Sequence, residues 1–295
     1  MNTYTVKINA VQASKVRLLL EGMNAEFDKV QYSVWRAKTK DFQAIFYESG
    51  KFLIQGKDVS EFAGKVDETL GIVSKPEKQP SSNAVTYSCY IGTDESGKGD
   101  FFGPLVIAGV QVDEKSSKLF NELGIKDSKK LNDAVIRKLA AQIRNNSVHS
   151  VVVITPQKYN ELYLKFNNLN KLLAWGHARA IENILEKSPC ERALSDKFGD
   201  ESLILNSLMQ KGRKIKLDQM VRAESDIAVA AASIIARAEF VKRMDEMSLK
   251  YGIELPKGAS NKVLEQGKKF IDKYGNNELK NIAKMHFKTT KELVK

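Results

Sequence analysis

"YIGTDESGKGDFFGPLVIAGV", Tyr90 to Val110, decides the fold of most of the chain. Its first half reads as an apolar strand, Ser88 to Asp94, that ends on two carboxylates, Asp94 and Glu95. A turn holding Gly97 and Gly99 follows, and the run from Gly103 to Val112 predicts a second strand paired with the first. Adjacent acids at a strand end repel each other, so something positive must answer them: a metal ion, Lys98 or a helix N-terminus. The glycines in "GKGDFFG" match neither GxxxxGK[ST] nor GxGxxG, and no helix opens after them. They read as a hinge that lets backbone amides approach a sugar or phosphate.

Downstream, "VHSVVVIT" predicts a third strand, and Thr155-Pro156 starts a helix with Thr as N-cap. "LNKLLAWGHARAIENILEK" is a long helix, "ERALSD" and "IKLDQMV" are short strands, and "DIAVAAASIIARAEFVKRMDEMSLKYG" is an Ala-rich helix ending at Gly252. Strands adjacent in sequence, then alternating with helices, predict a mixed α/β sheet flanked by helices. Acids stand at three predicted strand ends: Asp94-Glu95, Asp196, and Glu224 with Asp226. Strand ends on one edge of such a sheet converge on one crevice. Hard oxygen donors without a His or Cys cluster suit Mg²⁺ or Mn²⁺, and a pair of such ions serves phosphodiester hydrolysis. Each acid also has a plain reading. "DE" is ordinary turn chemistry, Asp196 can pair with Lys197, and Glu224 and Asp226 stand where acids favour a helix dipole. Only their combination with the glycine turn points to metal. His177 reads as a packing or helix-surface residue.

Upstream, "SKPEKQPSSNA" (Ser74–Ala84) is a Pro- and Ser-rich linker. The expected organisation is a small domain at 1–73, a linker at 74–84 and a larger domain at 85–295. The small domain reads β-α-β-β-β-α: "TYTVKINA", "ASKVRLLLEGM" with Ser14 as N-cap, "YSVWRAKT", "QAIFYES", "KFLIQG" and "DVSEFAGKVDETLG". Ser49-Gly50 forms a hairpin turn and Gly71 ends the last helix. Two helices on one face of a sheet leave the other face open. The strands carry Lys7, Trp35, Arg36, Lys38, Phe46 and Tyr47, of which half point into the core. Basic and aromatic side chains on an open sheet suit a nucleic-acid backbone and its bases, against a purely structural role.

The formal charge is +11, of which residues 1–80 hold +2 and residues 81–295 the remaining +9. Such a surplus suits a polyanion, nucleic acid before an acidic membrane, with a solvated Lys-rich surface as the plain alternative. Cys89 and Cys190 stand alone, with no CxxC, and read as buried free thiols rather than a zinc site or disulfide framework. Neither a signal-peptide core nor an 18-residue apolar run occurs, so the expectation is a cytoplasmic protein without a membrane span.

Five ordered motifs, "GTDESGKGDFFGPLVIAGV", "LGIKDSKKL", "NLNKLLAWGHARAIENIL", "AESDIAVAAASIIARAEF" and "HFKTT", resemble the type 2 ribonucleases H, and among them the bacterial ribonuclease HIII group. The resemblance covers most of residues 88–290. The small N-terminal unit looks like the TATA-box-binding-protein-like domain of that group. The resemblance implies an RNase H-like fold and endonucleolytic hydrolysis of the RNA strand in RNA/DNA hybrids by a two-metal mechanism, with 5′-phosphate and 3′-hydroxyl ends. It implies Asp94, Glu95, Asp196 and Glu224 as catalytic ligands of Mg²⁺ or Mn²⁺, with Asp226 the alternate fourth acid. "SDKFG" departs from the family's more usual glutamine after the aspartate. Gly97, Lys98 and Gly99 would meet the 2′-hydroxyls that mark RNA, and Ser128, Lys129 and Lys130 the phosphates. His286-Phe287-Lys288-Thr289 would touch substrate or pack over the site. The expected partner is a hybrid duplex, bound by a monomer. The alternatives are nicking at single ribonucleotides in DNA, as in ribonuclease HII, and hybrid binding without catalysis.

Overall fold

A computed structural model describes residues 2–56, 59–71, 88–125, 131–200, 202–220 and 223–294, with the side chains of Asn2, Ser60 and Glu224 outside the description. The linker at 74–84 and Ser128, Lys129 and Lys130 also fall outside it. The chain divides into two units, Met1–Val85 and Thr86–Lys295.

The first unit is an antiparallel sheet ordered β1-β5-β4-β3-β2. Its strands are β1 (Asn2–Lys7), β2 (Glu26–Asp28), β3 (Ser33–Lys38), β4 (Phe42–Tyr47) and β5 (Lys51–Gly56). Helices α1 (Ala10–Gly22) and α2 (Ser60–Thr69) complete it. There is one strand more than the sequence pattern predicts, because three residues are too few to show alternation. Asn9, not Ser14, caps α1: its side chain accepts from Gln12 N, and Gln12 answers the Asn9 amide. Ser14 lies inside the helix, where its hydroxyl donates to the Ala10 carbonyl. Trp35 and Phe46 join Phe52, Ile54, Val16 and Leu20 in the core. Lys7 and Lys38 are exposed, and Arg36 and Tyr47 half-buried.

The second unit is a mixed sheet ordered β10-β9-β6-β7-β8. Its strands are β6 (Cys89–Ser96), β7 (Leu105–Asp113), β8 (His149–Ile154), β9 (Arg192–Asp196) and β10 (Lys216–Met220). Between and after them run α3 (Glu114–Glu122), α4 (Asp133–Asn146), α5 (Pro156–Phe166), α6 (Leu169–Leu185), α7 (Ser202–Ser207), α8 (Ile227–Tyr251), α9 (Asn261–Tyr274) and α10 (Lys288–Leu293). β6, β7 and β8 pair antiparallel, whereas β9 joins β6, and β10 joins β9, in parallel.

The unbroken apolar run of β7 follows from burial on both faces. Val106, Ala108, Val110 and Val112 pack with the alanines of α8, while Leu105 and Ile107 pack with Leu172, Leu173 and Ala180 of α6. The two long helices therefore sandwich the centre of the sheet. Thr155 caps α5 with Pro156 in the first turn, and Gly252 ends α8 in the left-handed region at φ 59°. The two cysteines, far apart in sequence, are neighbours: β6 and the segment entering β9 bring Cys89 Sγ to 3.2 Å from Cys190 Sγ. Cys190 is buried, and Cys89 only half so.

Candidate active site

Strand geometry answers the repulsion at the end of β6. Successive side chains point to opposite faces, so Asp94 and Glu95 turn to different helices. Asp94 lies opposite Ala108 on the α8 face, and Glu95 opposite Ile107 on the α6 face. Asp94 accepts a hydrogen bond from Ser233 of α8 and one from the Glu95 amide at 2.9 Å. Glu95 meets His177 of α6, with Nε2 3.2 Å from Oε2, and Lys98, with Nζ 3.2 Å from Oε1. The other ring nitrogen of His177 lies 2.9 Å from Thr93 Oγ1. The two contacts together hold the ring between Thr93 and Glu95 and fix its plane.

The parallel register of β6 and β9, Thr93 against Ser195, carries Asp196 to the side of Asp94 on the same face. Asp196 accepts from the Ala223 amide at 3.3 Å, which ties the strand end to the turn Ala223–Ser225 before α8. The charges are unequal. Burial, then the Glu95 charge, with a smaller push from Asp196, holds the Asp94 carboxyl well above the usual carboxylate range. Burial pushes Glu95 the same way, but the His177 hydrogen bond and the Lys98 ammonium outweigh it and leave Glu95 below the usual range. The α8 face therefore brings Asp94 and Asp196 side by side, and these oxygen donors suit a hard divalent cation. Among the described residues no three Asp, Glu, His or Cys side chains surround one point. The backbone of Glu224 lies in the adjoining turn.

Asp226 has another task. Its Oδ1 accepts from the amides of Ala228 and Val229, capping α8, and its Oδ2 accepts from Tyr90 Oη at 2.9 Å.

The glycine turn has two distinct parts. Gly97 has φ +89°, and a Cβ there would stand 2.2 Å from the Pro104 carbonyl, so the turn itself demands glycine. Gly99 has an ordinary φ and open space where a Cβ would go. Among the described residues nothing near that exposed position requires glycine, and its backbone is open to solvent. Lys98, between them, also lies over the Phe198 ring at 5.6 Å, and Phe198 in turn packs on His177 at 5.1 Å. Asp94, Glu95, Asp196, Gly97, Lys98 and Gly99 thus share one end of the β6–β9 seam. His177, Ser233 and Phe198 join them without having been singled out as site residues by the sequence. Their link to the acids runs across up to 139 residues of chain, and the apolar spacing of the helices gives no sign of it.

The family described as Ribonuclease HII matches residues 91–290. A protein named Ribonuclease HIII from Protochlamydia amoebophila is 43% identical over 258 residues, 88% of this chain and 85% of that one. Another of that name from Chlamydia pneumoniae is 39% identical over 294 residues, 98% and 97% of the two chains. Among solved structures, that of Bst-RNase HIII in complex with Mn²⁺ is similar with a TM-score of 0.67 and 31% identity, covering 99% of this chain and 98% of that one.

Proposed function

The chain belongs to the type 2 ribonuclease H family, alongside the proteins named ribonuclease HIII, and on that ground we propose that it is a metal-dependent endonuclease that hydrolyses the RNA strand of RNA/DNA hybrids to 5′-phosphate and 3′-hydroxyl ends. One observation carries the reading: Asp94, Glu95 and Asp196 end neighbouring strands beside a glycine turn whose second glycine faces open space. Asp94, Glu95, Asp196 and Glu224 would hold Mg²⁺ or Mn²⁺, which supplies the positive charge a phosphodiester needs beside these acids and promotes attack by water. The chain's own residues do the positioning. His177 and Lys98 keep Glu95 ionised and oriented, and Ser233 orients Asp94. The Gly97–Gly99 backbone meets the ribose side of the RNA strand, where the 2′-hydroxyl distinguishes RNA from DNA. The capping bonds of Asp226 favour Glu224 as the fourth ligand. Lys129 and Lys130 contact phosphates, and residues 1–73 form a second binding surface.

All proposed ligands come from a single unit, which supports action as a monomer. Among the described residues no helix is long and apolar enough to cross a membrane. The basic surface and the two unbridged thiols fit work on nucleic acid in the cytoplasm.

A fluorescent RNA/DNA hybrid, incubated with Mg²⁺ or Mn²⁺, tests the reading, alongside a DNA duplex with one embedded ribonucleotide. Asp94→Asn is expected to lose nearly all cleavage while still binding hybrid. Wild-type-like cleavage by that variant overturns the mechanism, and cleavage of the single-ribonucleotide duplex alone overturns the substrate.

A further inference from the structure

Lys284 lies between the 3₁₀ turn Asn276–Asn281 and α10, and it is fully buried. Its ammonium donates to the main-chain carbonyls of Asp100 at 2.8 Å and Gly103 at 2.7 Å, with Phe102 O at 3.4 Å. Its own amide donates to Phe101 O at 2.9 Å. One residue therefore takes up every carbonyl from Asp100 to Gly103. The same stretch is held again by neighbours: Gly103 N donates to Ile282 O, Phe101 N to Gly258 O, and Gly258 N to Asp100 Oδ1. Among the described residues no carboxylate pairs with the ammonium. The Tyr159 ring lies 5.7 Å from Nζ.

A buried ammonium without a paired anion is expensive, and an apolar side chain of similar length would avoid the cost. Burial pushes the Lys284 amine down to about 7, against a smaller opposing effect of the Asp100 charge. What an apolar residue cannot do is donate to carbonyls that diverge from one tight turn, whereas an ammonium carries three donors. The clamped residues are the inner half of the β6–β7 connection, whose outer half is Gly97-Lys98-Gly99. The halves are joined directly, Asp100 N donating to Gly97 O at 3.3 Å.

We propose that Lys284 is a positioning residue for hydrolysis: by gathering the carbonyls of Asp100–Gly103 it fixes the backbone of Gly97–Gly99 in the shape that receives the RNA strand. The proposal rests on the reading of that turn as the substrate contact. It separates two jobs within seven residues of loop, a binding half whose tip, Gly99, is exposed and a largely buried half that holds it still.

Lys284→Met, which keeps length and loses the donors, tests it together with Gly99→Ala. In the wild-type background Lys284→Met is expected to raise KM for hybrid about tenfold, with kcat within about threefold. With Asp94→Asn present, hybrid affinity measured by fluorescence anisotropy falls to match. In the double variant Gly99→Ala/Lys284→Met the two losses do not add, because both act through one turn. Should Lys284→Met fail to fold by circular dichroism, Lys284→Gln, which keeps two donors, carries the comparison with a smaller rise in KM. Additive losses, or a fall in kcat at unchanged KM, overturn the positioning role. Unchanged affinity in Gly99→Ala overturns the substrate reading of the turn instead, so the two failures are distinguishable.

Discussion

At the scale of single residues, His177 shows how a buried polar group becomes part of the site. It is fully buried on a helix whose other inward residues, Glu182 apart, are apolar, and both ring nitrogens are committed, one to Glu95 and one to Thr93. Replacing it by alanine leaves the Glu95 carboxylate with Lys98 alone on one oxygen and free to rotate. Partners of this kind typically contribute about 10- to 100-fold in metal affinity or activity. His177→Ala is therefore expected to slow cleavage by about that factor at limiting Mg²⁺ and to recover part of it as the ion concentration rises. His177→Gln, which keeps a donor toward Glu95, should fall between. A half-saturating Mg²⁺ concentration equal to wild type in His177→Ala would show that the imidazole only fills space. Sequence spacing places His177 on the long helix but says nothing of this role, because its partners lie 82 and 84 residues earlier. Lys284 was hidden for the same reason: "AKMHF" gives no hint that its lysine is buried, since burial comes from the β6–β7 connection threading beneath it.

At the scale of elements, the strands and long helices were legible because each has a strong local cause. β7 is apolar on both faces, α5 begins with Thr-Pro, and α8 is a run of small residues ended by glycine. Weak local causes misled. β2 is too short to alternate, and Ser14 resembles a cap more than Asn9 until Gln12 is seen to complete the capping box. The start of α8 was ambiguous because an acid before a helix can cap it or face the site, and Glu224 and Asp226 flank one serine. The cap bonds of Asp226 give it a structural task and support the proposal of Glu224 as the ligand. Asp226→Asn keeps a good cap acceptor and should retain most cleavage activity, whereas Asp226→Ala should lower stability by about 1–2 kcal/mol. Glu224→Gln should remove nearly all cleavage with the melting temperature little changed. The reverse pattern, an active Glu224→Gln and a folded but inactive Asp226→Asn, would move the fourth ligand to Asp226.

At the scale of the whole molecule, the first unit carries a net charge of only +2 through residue 80, so any attraction for a polyanion depends on where its charges sit. Arg36 and Lys38 share Asp28. Lys7 and Lys51 face each other directly across β1 and β5, both exposed. Strand alternation puts Val6 and Phe52 on the core side and these two lysines on the face away from it. Like charges directly opposite on antiparallel strands destabilise a sheet, and a negative ligand bridging them would relieve that repulsion. Lys7→Gln/Lys51→Gln should therefore make the protein slightly more stable, by a few tenths of a kcal/mol, while weakening its hold on nucleic acid. Each lost phosphate contact lowers the slope of log affinity against log salt concentration by about one. The double variant, with Asp94→Asn to prevent cleavage, should bind hybrid more weakly at low salt with a slope shallower by up to about two. Titration at several salt concentrations checks this, and a melting curve checks the gain in stability. An unchanged slope with the stability gain present would assign the lysine pair to solvent and leave hybrid binding to the unit that carries the carboxylates.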